Sequence, residues 1–458
     1  MTLTLHVGVA ETTINPLLGM QIDGNIGAYR PAQFIIQDLY ARAIVFQQAE
    51  KRFLLLSMDL LAITTEWSEA IRDFAVGELG FDRDAVAVHV VQNHSSPSMG
   101  QIMLSDRFQA TKKYPWIRGS DPDYGPLAME KIKPMIREAA GNVQPVRLVF
   151  GSALESRVSF NRRIAMRDGT SEMGLGSKPG NPLFREGLSD PEVGVALFTT
   201  PSLNTIAALL HHTSHPVHWN PHHAIHGDWP GAWAEEVRRE LLPSAIPLVL
   251  NGCCGNVIHH DSLNPHREDT PQSMAKLLTE AARSALSNPY FSHDDPVLSY
   301  KTIRWGIPFR QFPKKVFEDA HKLIAENPEP MWTDEAHTRF KWDWQFAASL
   351  VDLEHVLATR KEFEYEIQAL RLGDLAILIL PGEPFVEAQL DIKQRSPAAR
   401  TFVAHMSNRY VGYIPTAAAI ERGGYETRPS IASKLAPEAL QTIANKSVAL
   451  LQELYSQP

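Results

Sequence analysis

The apolar residues of this chain gather in short runs, at 43–46, 53–56, 85–91, 195–199, 205–210, 247–250 and 375–380, several of them apolar throughout. Runs that stay apolar instead of alternating predict strands covered on both faces. Between them the spacing changes to a helical period. Over 232–242, Trp233, Val237 and Leu241 recur at i, i+4 and i+8. Over 273–286, Met274, Leu277, Leu278 and Ala281 follow the start signal Thr270-Pro271. Further helices are predicted over 313–325, 344–359 and 436–454. Strands and helices mix along the whole length, with no long-period repeat and no low-complexity linker. The expectation is an α/β fold of mixed sheets covered by helices, one large domain over residues 1–458. The stretch 167–185, rich in Gly, Ser and Pro, reads as a surface loop or an active-site flap.

Composition narrows the function classes. With 458 residues, 44% hydrophobic and 21% charged, the chain is an ordinary globular one, which excludes disordered and fibrous readings. A net charge of −8 gives nucleic acid or an anionic membrane no attraction, so the expected partner is a small-molecule substrate. No apolar run reaches the roughly 18 residues of a membrane span. Cys253 and Cys254 are adjacent and cannot staple distant segments. The N-terminal residues lack the cationic start, apolar core and cleavage site of a signal peptide, so a cytoplasmic location is expected.

Seven of the 18 histidines fall within the 16 residues 211–226, just after the apolar run 205–210. Neutral imidazole is the commonest protein metal ligand, and strand ends are where α/β folds expose functional side chains. The segment reads either as a metal or acid–base centre or as a polar loop rich in His. His89-Val-Val-Gln92-Asn93-His94-Ser-Ser-Pro97 ends another apolar run in side chains able to ligate or donate. In Leu378-Ile-Leu-Pro-Gly-Glu383-Pro, a buried strand runs into a Pro-Gly turn and delivers one carboxylate. That group is either a ligand or base, or a helix N-terminal charge. Asn408-Arg-Tyr410-Val-Gly-Tyr413 and Gly423-Gly-Tyr425-Glu426 offer phenols, for packing or for catalysis. Asn161-Arg162-Arg163 offers either a solvated pair or a carboxylate clamp. Asn251-Gly-Cys-Cys-Gly-Asn256 reads as a tight turn. The sequence has no Gly-x-Ser-x-Gly elbow, P-loop, dinucleotide-binding fingerprint or His-Glu-x-x-His, which argues against an α/β-hydrolase, a nucleotide enzyme, a Rossmann dehydrogenase and a zincin.

Several of these segments, taken in order, resemble the catalytic domain of the neutral, non-lysosomal ceramidase family. They are Asp38-Leu-Tyr-Ala-Arg-Ala43, Leu56-Ser-Met-Asp59, Gln92-Asn-His94-Ser-Ser-Pro97, Asn161-Arg162, His215-Pro with Gly227-Asp228-Trp-Pro-Gly231, Leu380-Pro-Gly-Glu383, and Asn408-x-Tyr-x-x-Tyr413 with Tyr425-Glu426. The matches run over roughly residues 5 to 430, and the chain ends at Pro458, where that family continues into a C-terminal β-domain. The expectation is a distant homologue without that domain.

The resemblance implies a zinc amidase acting on an N-acyl bond. Zinc would be held by His215, Glu383 and Tyr413, with Gln92 standing where the family has its first His. His94 lies one pleat further along the same face of an ideal strand and replaces Gln92 as ligand only if the backbone shifts. His94, Arg162 and Tyr425 match the catalytic polar groups around the scissile amide, and Asp59, His218, His222, Asp228 and Asn256 are the expected substrate-binding residues. An amide oxygen is a poorer zinc ligand than imidazole, so weaker binding or another metal follows. Ile258 stands where the family has a functional serine. These departures move the expected substrate from ceramide to a small soluble molecule, with an amide as the preferred bond. Two other readings keep the fold: a sugar-directed lyase or glycoside-cleaving enzyme on the same metal site, and a metal-depleted homologue that binds a ligand.

Overall fold

The computed structural model describes residues 4–174, 181–264, 266–291 and 295–456. Among these, three sheets carry the architecture. The first runs Val86–Val90, Lys51–Met58, Tyr40–Gln48, His6–Thr13, Gln144–Pro145. The second runs Ile246–Asn251, Thr205–His212, Glu192–Thr199, Arg147–Leu154, Tyr290–Phe291. The third runs Arg400–Ala404, Leu375–Ile379, Glu362–Leu372, Leu298–Pro308. In each sheet the first-named pair is parallel and the others antiparallel. The sheets mix with helices as expected for an α/β fold.

One face of every sheet enters a common core, where Phe46 and Leu55 meet Phe198 and Leu248 of the second sheet and Ile377 and Phe402 of the third. The opposite faces are covered by helices. Thr65–Leu79 and Tyr124–Gly141 pack on the first sheet through Ile71, Phe74, Ile132 and Ile136. Asp228–Glu240 and Pro271–Ser287 pack on the second through Trp233, Val237, Leu278 and Ala282. Val386–Arg395 and Ala439–Ser456 pack on the third through Ile392, Ile443 and Leu451. Burial on both faces is why the strands read as apolar runs. The stretch 167–185 is more than a loop. Its strands Ser171–Met173 and Pro182–Arg185 flank Arg163–Met166, and its residues 175–180 lie outside the described residues. No helix among the described residues is long and apolar enough to cross a membrane.

The parallel pair puts an edge strand on each sheet with backbone groups to satisfy. Here the three edges meet one another at their C-terminal ends. The Asn251 N–H donates to His89 Nε2 at 3.2 Å, His405 N–H donates to the Asn251 carbonyl at 3.0 Å, and His89 Nδ1 lies 2.6 Å from the His405 carbonyl. One tautomer of His89, protonated on Nδ1, serves both of its contacts. The segments leaving these strands therefore emerge at one place.

Candidate active site

Gln92 leaves the first sheet two residues beyond Val90, in the left-handed region at φ 67°. The turn ends the strand and aims the side chain inward, where its Oε1 accepts from the Cys254 thiol at 3.3 Å, in the same cavity lining as Glu383. His94 follows, with Nδ1 2.8 Å from the Gly24 carbonyl. Gly24 sits at φ 90°, and a Cβ there would lie 2.6 Å from His94 Nδ1, so only glycine lets the ring occupy this place. His215 leaves the second sheet; its N–H donates to the Val257 carbonyl at 3.1 Å and its Nδ1 lies 2.7 Å from the Cys254 carbonyl. A proton on Nδ1 of each ring leaves the Nε2 lone pair of each free, and neither Nε2 has a hydrogen-bond partner.

Glu383 and Tyr413 leave the third sheet and face each other in a two-residue parallel ladder, Glu383–Pro384 against Tyr413–Ile414. Glu383 Oε1 accepts from the Tyr410 hydroxyl at 3.4 Å, while Oε2 has no hydrogen-bond partner and lies 3.6 Å from His215 Nε2. Arg162 donates from Nη2 to the Tyr413 hydroxyl at 3.2 Å and from Nε to Glu426 Oε1 at 2.7 Å. Arg163 takes the other oxygen of Glu426, also at 2.7 Å. The arginine pair is thus a carboxylate clamp that holds Arg162 behind the phenols. The Tyr425 ring meets that of Tyr413 edge-on, centroids 5.8 Å apart.

Burial sets the protonation states. It pushes His94 down to about 4 and His215 well below its ordinary value, Arg162 adding to the second effect, so both rings are neutral. Burial also pushes the Glu383 carboxyl up to about 7, against the pull of Arg162. The Glu426 carboxyl stays below its ordinary range, because Arg162 and Arg163 outweigh the cost of its burial.

The cavity over this floor has a volume of about 90 Å³ and is lined by Gln92, His94, Glu383, Tyr410, Tyr413 and Tyr425 on its polar side. The rest of the lining is largely apolar, with Ile26, Leu61, Ile102, Phe346, Met406 and Ile431, interspersed with Gln345, Ser349 and Ser430. His215 and Arg162 lie just beneath this lining.

The donor set suits a divalent metal. An unprotonated imidazole nitrogen and a carboxylate oxygen, both buried and without hydrogen-bond partners, sit 3.6 Å apart. Two ligands about 2.1 Å from one tetrahedral ion are separated by about 3.4 Å. A buried phenol beside them completes a three-residue set. Gln92 uses its amide oxygen to accept from the Cys254 thiol in this arrangement.

The other expected residues are placed elsewhere, each with partners of its own. Asp59 accepts from Arg42 at 3.1 Å and from the Tyr40 N–H at 2.9 Å. His218 is hydrogen-bonded to Asp228 at 2.6 Å, and His222 is exposed. Asn256 accepts from the Val386 N–H and donates to Glu387, which fixes the start of the helix Val386–Arg395. Sequence reasoning gave Tyr410 and Cys254 no role, although both stood in quoted motifs. Gly24 carried no signal at all, since its part depends on a ring 70 positions away.

No protein-family model matches the sequence, and no curated protein sequence matches it. Among solved structures, the chain aligns with neutral ceramidase from Pseudomonas aeruginosa at a TM-score of 0.71 and 16% identity, over 99% of this chain and 75% of that one. It aligns with a ceramidase complexed with C2 at 0.70 and 14%, over 99% and 76%. The fold is therefore that of the neutral ceramidase structures, as the sequence motifs led one to expect.

Proposed function

We propose that the chain is a metal-dependent hydrolase that cleaves an amide, N-acyl, bond in a small substrate. The observation that carries this reading is the convergence of His215 Nε2 and Glu383 Oε2, both without hydrogen-bond partners, beside Tyr413 at the floor of a half-apolar cavity. The shared fold with neutral ceramidases supports the same reaction class. His215, Glu383 and Tyr413 would hold the ion. When bound, a divalent ion such as zinc polarises a carbonyl and lowers the pKa of a water toward about 7.

The remaining chemistry belongs to the chain. His94 is held by Gly24 with its Nε2 lone pair free, the form that accepts a proton from the attacking water. The Tyr425 phenol, pushed up to about 12 by burial, keeps its proton and donates to the carbonyl oxygen as charge develops there. Arg162 positions the Tyr413 hydroxyl and balances the charge of Glu426. The apolar wall receives the acyl group and excludes water from it.

The test is to count metal in the purified protein and then offer it a panel of short N-acyl amines, reading free amine. Release of amine that stops on chelation, returns with Zn²⁺ and is lost in Glu383→Gln supports the reading. Amine release indifferent to chelation and to Glu383→Gln would overturn it, and so would an unsaturated product in place of free amine.

A further inference from the structure

We propose that His218, His259 and Asp269 form a second divalent-metal site, separate from the cavity, which ties the loop carrying His215 to the loop that enters the helix Pro271–Ser287. The three residues each offer a ligand atom, and these atoms lie within 4.8 Å of one another. His218 and His259 are almost fully buried, with side chains 2% and 7% exposed. Their rings stack, with centroids 3.4 Å apart and planes 16° from parallel.

The hydrogen bonds leave this cluster incomplete. His218 Nδ1 is 2.6 Å from Asp228 Oδ1, so that nitrogen carries the proton. Its Nε2 then points a lone pair at Asp269 Oδ1, 3.3 Å away, and has no hydrogen-bond partner. His259 Nδ1 lies 2.9 Å from both oxygens of Asp269, and its Nε2 is likewise buried without a hydrogen-bond partner. A lone pair facing a carboxylate oxygen needs a cation between them, either a proton or a metal ion. An Asp–His pair on the outer side of a ligand nitrogen is the usual backing of a metal-bound imidazole, and Asp228 supplies it. Asp269 also accepts from Arg267 at Oδ1, 3.2 Å, and faces His260 Nδ1 at Oδ2, 3.3 Å; with Asp228 it sets two carboxylates against one guanidinium, a balance closed by a second proton on His218 or by a metal ion in that proton's place. Two imidazoles and one carboxylate suit zinc or a similar transition metal over magnesium or calcium.

The site would brace the catalytic floor from behind. His218 is three residues beyond His215. His259 follows Val257 and Ile258, which pair with the backbone of His215. Asp269 precedes Thr270, the N-cap of the helix Pro271–Ser287.

The experiment is Zn²⁺ binding to the full chain by equilibrium dialysis, with Zn²⁺ itself as the probe. The His215→Ala/Glu383→Gln double variant removes the proposed catalytic ligands and should retain one Zn²⁺ per chain, with a higher unfolding temperature when Zn²⁺ is present. Asp269→Asn added to that background should weaken binding at least tenfold and abolish the thermal shift. Should the Asn variant not fold, His259→Gln in the same background reads the same loss. Retention of the ion after Asp269→Asn or His259→Gln overturns the proposal. So does a double variant that folds and binds no Zn²⁺. A wild-type chain that binds one ion, kept by Glu383→Gln and lost by Asp269→Asn, supports this site and removes the metal from the proposed reaction. The two readings therefore fail separately.

Discussion

At the scale of single residues, Gln92 is the position where this site departs most from an imidazole-rich metal centre. Its backbone is left-handed, a conformation histidine adopts more readily than most side chains. Gln92→His is therefore expected to fit and, by replacing an amide with an imidazole beside His215 and Glu383, to tighten Zn²⁺ binding in chelator competition. Unchanged or weaker binding would put residue 92 outside the ligand set. Tyr425 tests the chemistry more directly. Tyr425→Phe removes one hydroxyl and little volume, so fold, metal content and substrate affinity should persist while turnover falls by roughly 10²–10³. Normal turnover on a substrate found by the amine screen would remove the phenol from the mechanism.

At the scale of elements, Glu383 and Tyr413 owe their juxtaposition to a ladder of only two residues on each side. What holds it is the chain on either flank. Gly412, at φ 84°, passes so close to the next segment that a Cβ would lie 2.3 Å from the Ala432 carbonyl oxygen. Tyr413 N–H donates to that same carbonyl at 2.7 Å. Gly412→Ala should therefore move Tyr413 and lower both the unfolding temperature and turnover; strain at such a position costs on the order of 1–3 kcal/mol, before the clash is added. Gly77 is the contrast. It lies in the helix Thr65–Leu79 with open space where a Cβ would go, and Gly77→Ala should stabilise by up to about 1 kcal/mol without touching activity. Equal effects of the two substitutions in thermal melts would contradict the assignment of Gly412 as a close-approach position.

Across the molecule, an unusual number of imidazoles are buried and neutral where the sheet edges meet. Burial holds His89 and His212 down to about 4, and His211 and His405 well below their ordinary value. A group whose folded pKa is depressed contributes stability that is complete above its unfolded pKa, near 6.5, and is lost as pH falls through the folded value. Asp23 and Glu383, pushed up to about 7 by burial, act in the opposite sense as pH falls from 7, but the imidazoles outnumber them. The urea midpoint should therefore drop steeply between pH 6.5 and about 4.5, each depressed imidazole contributing up to about 1.4 kcal/mol per pH unit. A midpoint that stays level from pH 7 to pH 5 would mean that these rings take up protons in the folded state.

The sequence by itself determined the local elements and the inventory of chemistry. Both-faced burial writes itself as apolar runs, so seven strands were legible, and helical spacing located helices such as Pro271–Ser287 with its Thr270 cap. Leu298–Pro308 was not legible because its half-exposed positions carry Lys301 and Arg304, and Glu362–Leu372 because the polar Glu366 and Gln368, buried against Arg72 and Asn408, interrupt its run. The motifs named Gln92, His94, Arg162, His215, Glu383, Tyr413 and Tyr425, and the structure brings all seven together. Only the tertiary structure decided which histidines of the 211–226 cluster share a centre. His215 joins the cavity floor, His218 turns away to Asp228, and His222 faces solvent. Spacing along a chain constrains neighbours within one element. The meeting of three sheet edges, with Gly24 cradling His94 and Glu426 clamping Arg162, depends on contacts between residues 70 and 264 positions apart. Those contacts exist only once the common core has closed.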